Sequence, residues 1–172
     1  MNQQLIAQLE AEASRANTDY IANWAGSNAE RIADLVDIAL NTDGQTAARA
    51  LWALEKVAAA HHNILLPHIS AIVAFLPRFT ISGMRRIACK ILMLTDVPQD
   101  FDGTIIDFCF RMLETPNEPI GVKANCLSLI ANRLSDYPEL KPELKAIVDS
   151  IIETSESKGF VVRAKHSKLL ND

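Results

Sequence analysis

The stretch ERIADLVDIALNTDGQTAARALWALEKVAAA, Glu30 to Ala60, decides the fold. Its first half sets Ile32, Leu35, Val36 and Ala39 at i, i+3, i+4 and i+7, the stripe that one face of an α-helix buries. Its second half repeats the device with Ala47, Ala50, Leu51, Leu54, Val57 and Ala58. Gly44 stands between the halves, where a chain reversing direction between helices tolerates glycine. The stretch therefore reads as two antiparallel helices, A and B.

Moving outward, the same pair recurs. Adding 37 to the A stripe lands on Ile69, Ile72, Val73 and Leu76, another 37 on Ile106, Cys109, Phe110 and Leu113, and a further 38 on Leu144, Ile147, Val148 and Ile151. The B stripe returns as Met84, Ile87, Ala88, Ile91 and Leu94, and Gly83, Gly121 and Gly159 stand near the later A-to-B turns. A basic residue marks each B helix, at Arg49, Arg86, Lys123 and Arg163. A helix pair of this length cannot bury both of its apolar sides alone, so each pair must lean on its neighbour. The spacing predicts a leading helix at 2–15, a short helix at 18–25, and A/B pairs at 29–40 with 45–60, 64–76 with 82–95, 102–114 with 119–134, and 139–153 with 159–170. The whole, 1–172, reads as a single all-α domain with a cap at 1–28 and repeats at 29–60, 64–95, 102–134 and 139–170. Its ends should be polar on one side, through Asn2, Gln3, Gln4, Gln8, Glu10 and Glu12 at the start and Lys165, Lys168, Asn171 and Asp172 at the close.

Composition narrows the classes. A chain of 172 residues buries about 70% of its unfolded surface and needs no metal or disulfide staple. With 49% apolar and 22% charged residues it is expected to be globular, and no apolar run is long enough to cross a bilayer. The opening MNQQLIAQLEAEASR lacks the basic stretch and apolar run of a secretory signal, which predicts a cytoplasmic protein. Three cysteines without C-x-x-C spacing predict free thiols, with Cys109 a small apolar filler. A net charge of −4 is the reverse of what a protein coating DNA or RNA carries, so nucleic acid is not the expected partner.

Val122-Lys123 and Val162-Arg163, with looser versions at Ala48-Arg49 and Arg85-Arg86, resemble the opening of the second helix in HEAT repeats. Pro67 and Pro142 fall at one register of the A helices, as prolines of that family do, and Asp43 supplies the family's acid six residues before Arg49. Thr80, Asn117 and Ser157 replace that acid in the other repeats. The resemblance covers about 29–170 and implies a right-handed α-α superhelix of about four HEAT-like helix pairs plus N-terminal capping helices. The segments IGVKANCLSLI, YPELKPELKAIVDSII and GFVVRAKHSKLL also resemble short bacterial HEAT-like proteins, of a Bacteroidetes type, that are often labelled adenylosuccinate lyase. The Ser-rich S-S-x-M-P-x-K-x-N loop by which true lyases resemble one another has no match in this sequence.

No nucleophile elbow, phosphate-binding glycine loop or H-E-x-x-H pattern is present, and no catalytic residue, cofactor or metal site is expected. His61, His62 and His68 cluster, yet no carboxylate or cysteine completes a ligand set beside them in the sequence, and His61 and His62 suit the end of a helix. Charge is uneven: residues 45–100 hold six basic and three acidic side chains, whereas residues 1–44 hold two and seven. Helical spacing puts Arg49, Trp52 and Lys56 on one side of the first B helix, and Arg86, Cys89, Lys90 and Met93 on one side of the second, followed by Lys123 and Cys126. Because B helices line the concave side in proteins this one resembles, the reading is a non-catalytic scaffold that binds another protein there. Arg49, Trp52, Lys56, Arg86, Lys90 and Lys123 are the candidate contacts, and an acidic helix or extended segment is the candidate partner. Two functional alternatives stand beside it. One is a nucleic-acid-binding or DNA-repair-type HEAT-like module with Trp52 as its aromatic. The other is an enzyme of the kind labelled adenylosuccinate lyase, a label the missing Ser-rich loop argues against. For the basic column itself, the competing expectation is that it ties repeats together.

Overall fold

A computed structural model describes residues 1–154 and 157–167, and every described element is helical or turn. Among the described residues ten α-helices follow in order: α1 (Gln3–Ala11), α2 (Arg15–Ala25), α3 (Ala29–Asn41), α4 (Gly44–Ala60), α5 (Ile69–Phe75), α6 (Ser82–Met93), α7 (Asp102–Glu114), α8 (Ile120–Ala131), α9 (Lys141–Thr154) and α10 (Lys158–His166). Helices α3, α5, α7 and α9 are the A helices, and α4, α6, α8 and α10 the B helices. Lys168, Asn171 and Asp172, expected to close the end, and positions 168–170 of the fourth repeat lie outside the described residues.

Local chemistry sets the boundaries. Asn2, Ser14, Asn28 and Ser157 each accept a backbone N–H three residues on, which satisfies a donor that the first helical turn leaves unpaired. Helix α5 is short because prolines bracket it: Pro67 and Pro77 sit in the 3-10 turns Leu66–His68 and Leu76–Arg78 on either side. Gly44 opens α4 with φ +63, a conformation costly for any residue with a Cβ.

The chain forms two compact units, Met1–Phe101 and the part from Asp102 onward. In the first, α4 packs against α1, α2, α3 and α6. Its core takes Ile32, Leu35, Val36 and Ala39 from α3, and Ile69, Ile72, Val73 and Leu76 from α5 and its end, as the stripes predict. In the second, α8 packs on α7 and α10, and α9 touches α7 and α10. Here the third stripe needs correction. Helix α7 buries Ile105, Phe108, Cys109 and Leu113, while Ile106 and Phe110 are half-exposed. The run Ile105-Ile106 followed by Phe108-Cys109-Phe110 fits two helical registers one residue apart, and the acid Asp102 belongs to the buried one.

Candidate functional site

Within the first unit, α4, which carries Arg49, Trp52 and Lys56, packs against both α2 and α6, and α6 carries Arg86 and Lys90. Arg49 is half-buried, and its Nη1 donates to the Leu9 carbonyl at 2.8 Å, near the C-terminal end of α1. Its Nε is buried without an acceptor in the protein. Trp52 is half-buried and walls a cleft of about 230 Å³ together with Thr18, Ala48, Arg49, Gly83 and Ile87.

The lysines of this face are not isolated cations. Lys56 Nζ stands 3.2 Å from Asp19 of α2, and Lys90 Nζ stands 3.5 Å from Glu55 of α4. Each pair spans neighbouring helices, so a basic face read from one helix at a time becomes a face of alternating sign. Asp19 precedes Lys56 by 37 residues and Glu55 precedes Lys90 by 35. Acid and base one repeat period apart were the signal that would have found both pairs.

Three expected members of the face are elsewhere. Cys89 and Cys126 are fully buried. Lys123 is only 8% exposed and its Nζ donates to the Leu113 carbonyl at 2.9 Å, at the end of α7 in the second unit. Burial holds its ammonium below the ordinary lysine value, partly offset by the Glu118 charge. Lys123 thus serves the fold and leaves the set of accessible contacts. Arg86 remains exposed on α6. The adjacent Arg85 takes the tying role there: its Nη1 donates to the carbonyls of Phe79 and Thr80 at 2.8 and 2.9 Å. Counted from the helix start, Arg85 in α6 and Lys123 in α8 both occupy the fourth position. Arg163 occupies the sixth position of α10, like Arg49 in α4, and donates to the Ser128 hydroxyl at 3.0 Å.

The histidine cluster also acquires a partner that linear proximity hid. His62 Nε2 lies 3.1 Å from Asp96, and Asn63 clasps the same residue twice, its Nδ2 donating to the carboxylate and its Oδ1 accepting the Asp96 N–H, both at 2.8 Å. These hydrogen bonds, from Asn63 first and His62 second, hold the Asp96 carboxyl below the ordinary value. Burial alone lowers the imidazole of His68. Among the described residues no group of three or more His, Cys, Asp or Glu has metal-binding geometry. Nor is any described helix long and apolar enough to cross a membrane.

A family model described as a HEAT repeat domain matches residues 5–169. No curated protein and no solved structure matches the chain.

Proposed function

Because the chain belongs to the HEAT-repeat family, we propose that it is a non-catalytic helical scaffold that binds another protein through the B-helix face of its first unit. The observation that supports this reading is that α4 packs against both α2 and α6, with a partly exposed Trp52, Lys56 paired to Asp19 of α2 and Lys90 of α6 paired to Glu55. Trp, with its large apolar area and polar edge, is the residue type most enriched at binding hot spots, and paired rim charges set specificity more than affinity. The contacts proposed are Arg49, Trp52, Lys56, Arg86 and Lys90.

Affinity capture from the native cell tests this. One protein should be recovered reproducibly with the wild-type chain and lost with Trp52→Ala and Lys90→Glu variants that still melt cooperatively. Full recovery by both folded variants moves the interface to the A-helix side. The same preparation should release no fumarate from adenylosuccinate above a buffer control; turnover that survives repurification overturns the non-catalytic reading.

A further inference from the structure

The cleft beside Trp52 has a composition of its own within that face. Its walls are mostly apolar, from Ala13 of the α1–α2 turn, Ala48 and Trp52 of α4, and Ile81 and Ile87 at α6. Arg49 is the one charged residue lining it among the described residues, and no carboxylate does. A cavity of about 150 Å³ is enough to hold a benzene ring. At about 230 Å³ this cleft admits one large aliphatic or aromatic side chain, but not a helix face.

We propose that this cleft receives a single leucine or phenylalanine side chain from an acidic, extended segment of the partner. The inference rests on the protein-binding reading and specifies the chemistry of what is bound. Size and apolar lining select the inserted residue. Charge selects its flanks: α4 and α6 carry Arg49, Lys56, Arg85, Arg86 and Lys90 against one acid, Glu55, so the face stays net positive after Lys90 meets Glu55 and Lys56 meets Asp19 of α2. Arg49 adds a guanidinium to the cleft wall, held there by its Nη1 bond to the Leu9 carbonyl. An acidic segment laid along α4 and α6 therefore meets excess positive charge while its apolar residue leaves water.

Gly83 provides the means to close the cleft without unfolding the chain. It lies in the first turn of α6, and a Cβ built there meets only the Ile81 Cγ2 at 3.9 Å, ordinary van der Waals distance. Gly83→Leu therefore adds bulk at the cleft wall in an unstrained helical position, and Ala48→Leu does the same from α4. The chain has two tryptophans, so Trp24→Phe leaves Trp52 as the sole indole reporter.

The probes are short synthetic peptides in which Leu, Phe or Ala is flanked on both sides by Asp and Glu, and a Leu peptide flanked by Lys. The Leu and Phe peptides should shift Trp52 emission saturably. Binding should weaken at least tenfold for the Ala and Lys-flanked peptides and at least tenfold for the Leu peptide in Gly83→Leu and Ala48→Leu, with both variants melting no lower than their parent. Equal binding of the Ala peptide, no saturable shift with any peptide, or unchanged binding in both filled variants overturns the proposal. So does an emission change on concentrating the protein alone with sedimentation as a dimer, which makes a second copy the occupant. If the filled variants still capture the cellular partner, the cleft inference fails while the scaffold reading survives; loss of capture by Trp52→Ala and Lys90→Glu decides that reading separately.

Discussion

The turns that close the A helices and the outer face of α2, α4 and α6 use the same residue types for opposite ends. At the turns, Arg85 and Lys123 spend their donors on backbone carbonyls, and Lys123 is almost wholly withdrawn from water. On the outer face, Lys56 and Lys90 meet carboxylates across a helix-to-helix gap and stay partly exposed, their side chains at 26% and 42%. A cation at a helix C-terminus answers both the unpaired carbonyls and the negative end of the helix dipole. An exposed ion pair gains little, because water screens it and two long side chains must be ordered. The difference teaches that a basic column in a repeat protein is two populations, and that burial, not spacing, separates them.

The largest effect should come from removing the buried tie. Lys123→Ala strips the Leu113 carbonyl of its donor and leaves Glu118, itself buried, without the opposite charge beside it. Loss of a partner to a buried polar group costs about 1–3 kcal/mol. Urea unfolding should show that loss, and a midpoint unchanged from wild type would return Lys123 to the exposed set. Next, Arg85 and Arg86 offer a comparison between neighbours. Arg85→Ala should cost roughly 1 kcal/mol, the scale of a lost hydrogen bond. Arg86→Ala, at an exposed position, should stay within about 0.5 kcal/mol. Equal losses would erase the distinction between tie and face.

Much of this was legible beforehand. Seven of the eight A and B helices start within two residues of the positions read from a 37-residue period, because amphipathic stripes that recur that regularly have one packing solution, whereas the second A helix starts at Ile69 rather than 64, after the 3-10 turn Leu66–His68. What failed did so where sequence offers two equivalent registers. Ile105-Ile106 supplies an apolar residue to either face of α7, and Arg85-Arg86 supplies a cation to either side of α6, so only packing could choose. Partners across helices were missed for another reason. Lys56 with Asp19, Lys90 with Glu55 and His62 with Asp96 lie far apart along the chain, and each helix was read against its own face. One-period offsets between opposite charges contain that information.

A smaller effect tests the partly exposed population. Lys90→Glu sets two carboxylates against each other where Lys90 now meets Glu55. Glu55 is 13% exposed beside a 42% exposed Lys90, so water and salt screen the new repulsion only in part; melting should fall by less than in Lys123→Ala and recover partly with added salt. A large, salt-insensitive drop would show that this pair is structural in the manner of Lys123.

The smallest effect, and the sharpest in position, lies at the clasp between the turn after α4 and the turn after α6. Asn63 has φ +60, a left-handed conformation that asparagine tolerates better than most side chains, and from it the amide reaches both the carboxylate and the N–H of Asp96. These bonds favour the ionised carboxylate, so its folded pKa lies below the ordinary value of 3.8. A depressed acid stabilises the fold fully above its unfolded pKa and ceases to do so as pH falls through its folded one. The clasp should therefore hold at neutral pH and weaken only in acid, below 3.8. Asp96 is exposed, so the readout is the carboxyl carbon chemical shift followed by NMR rather than global melting. Asn63→Gly keeps the positive φ accessible while deleting the amide. It should move the Asp96 titration up toward the ordinary carboxylate value by more than His62→Ala does, because the Asn63 bond is the larger cause. A larger shift from His62→Ala would make the histidine the principal partner, and an Asp96 that titrates normally in the wild type would dissolve the clasp altogether.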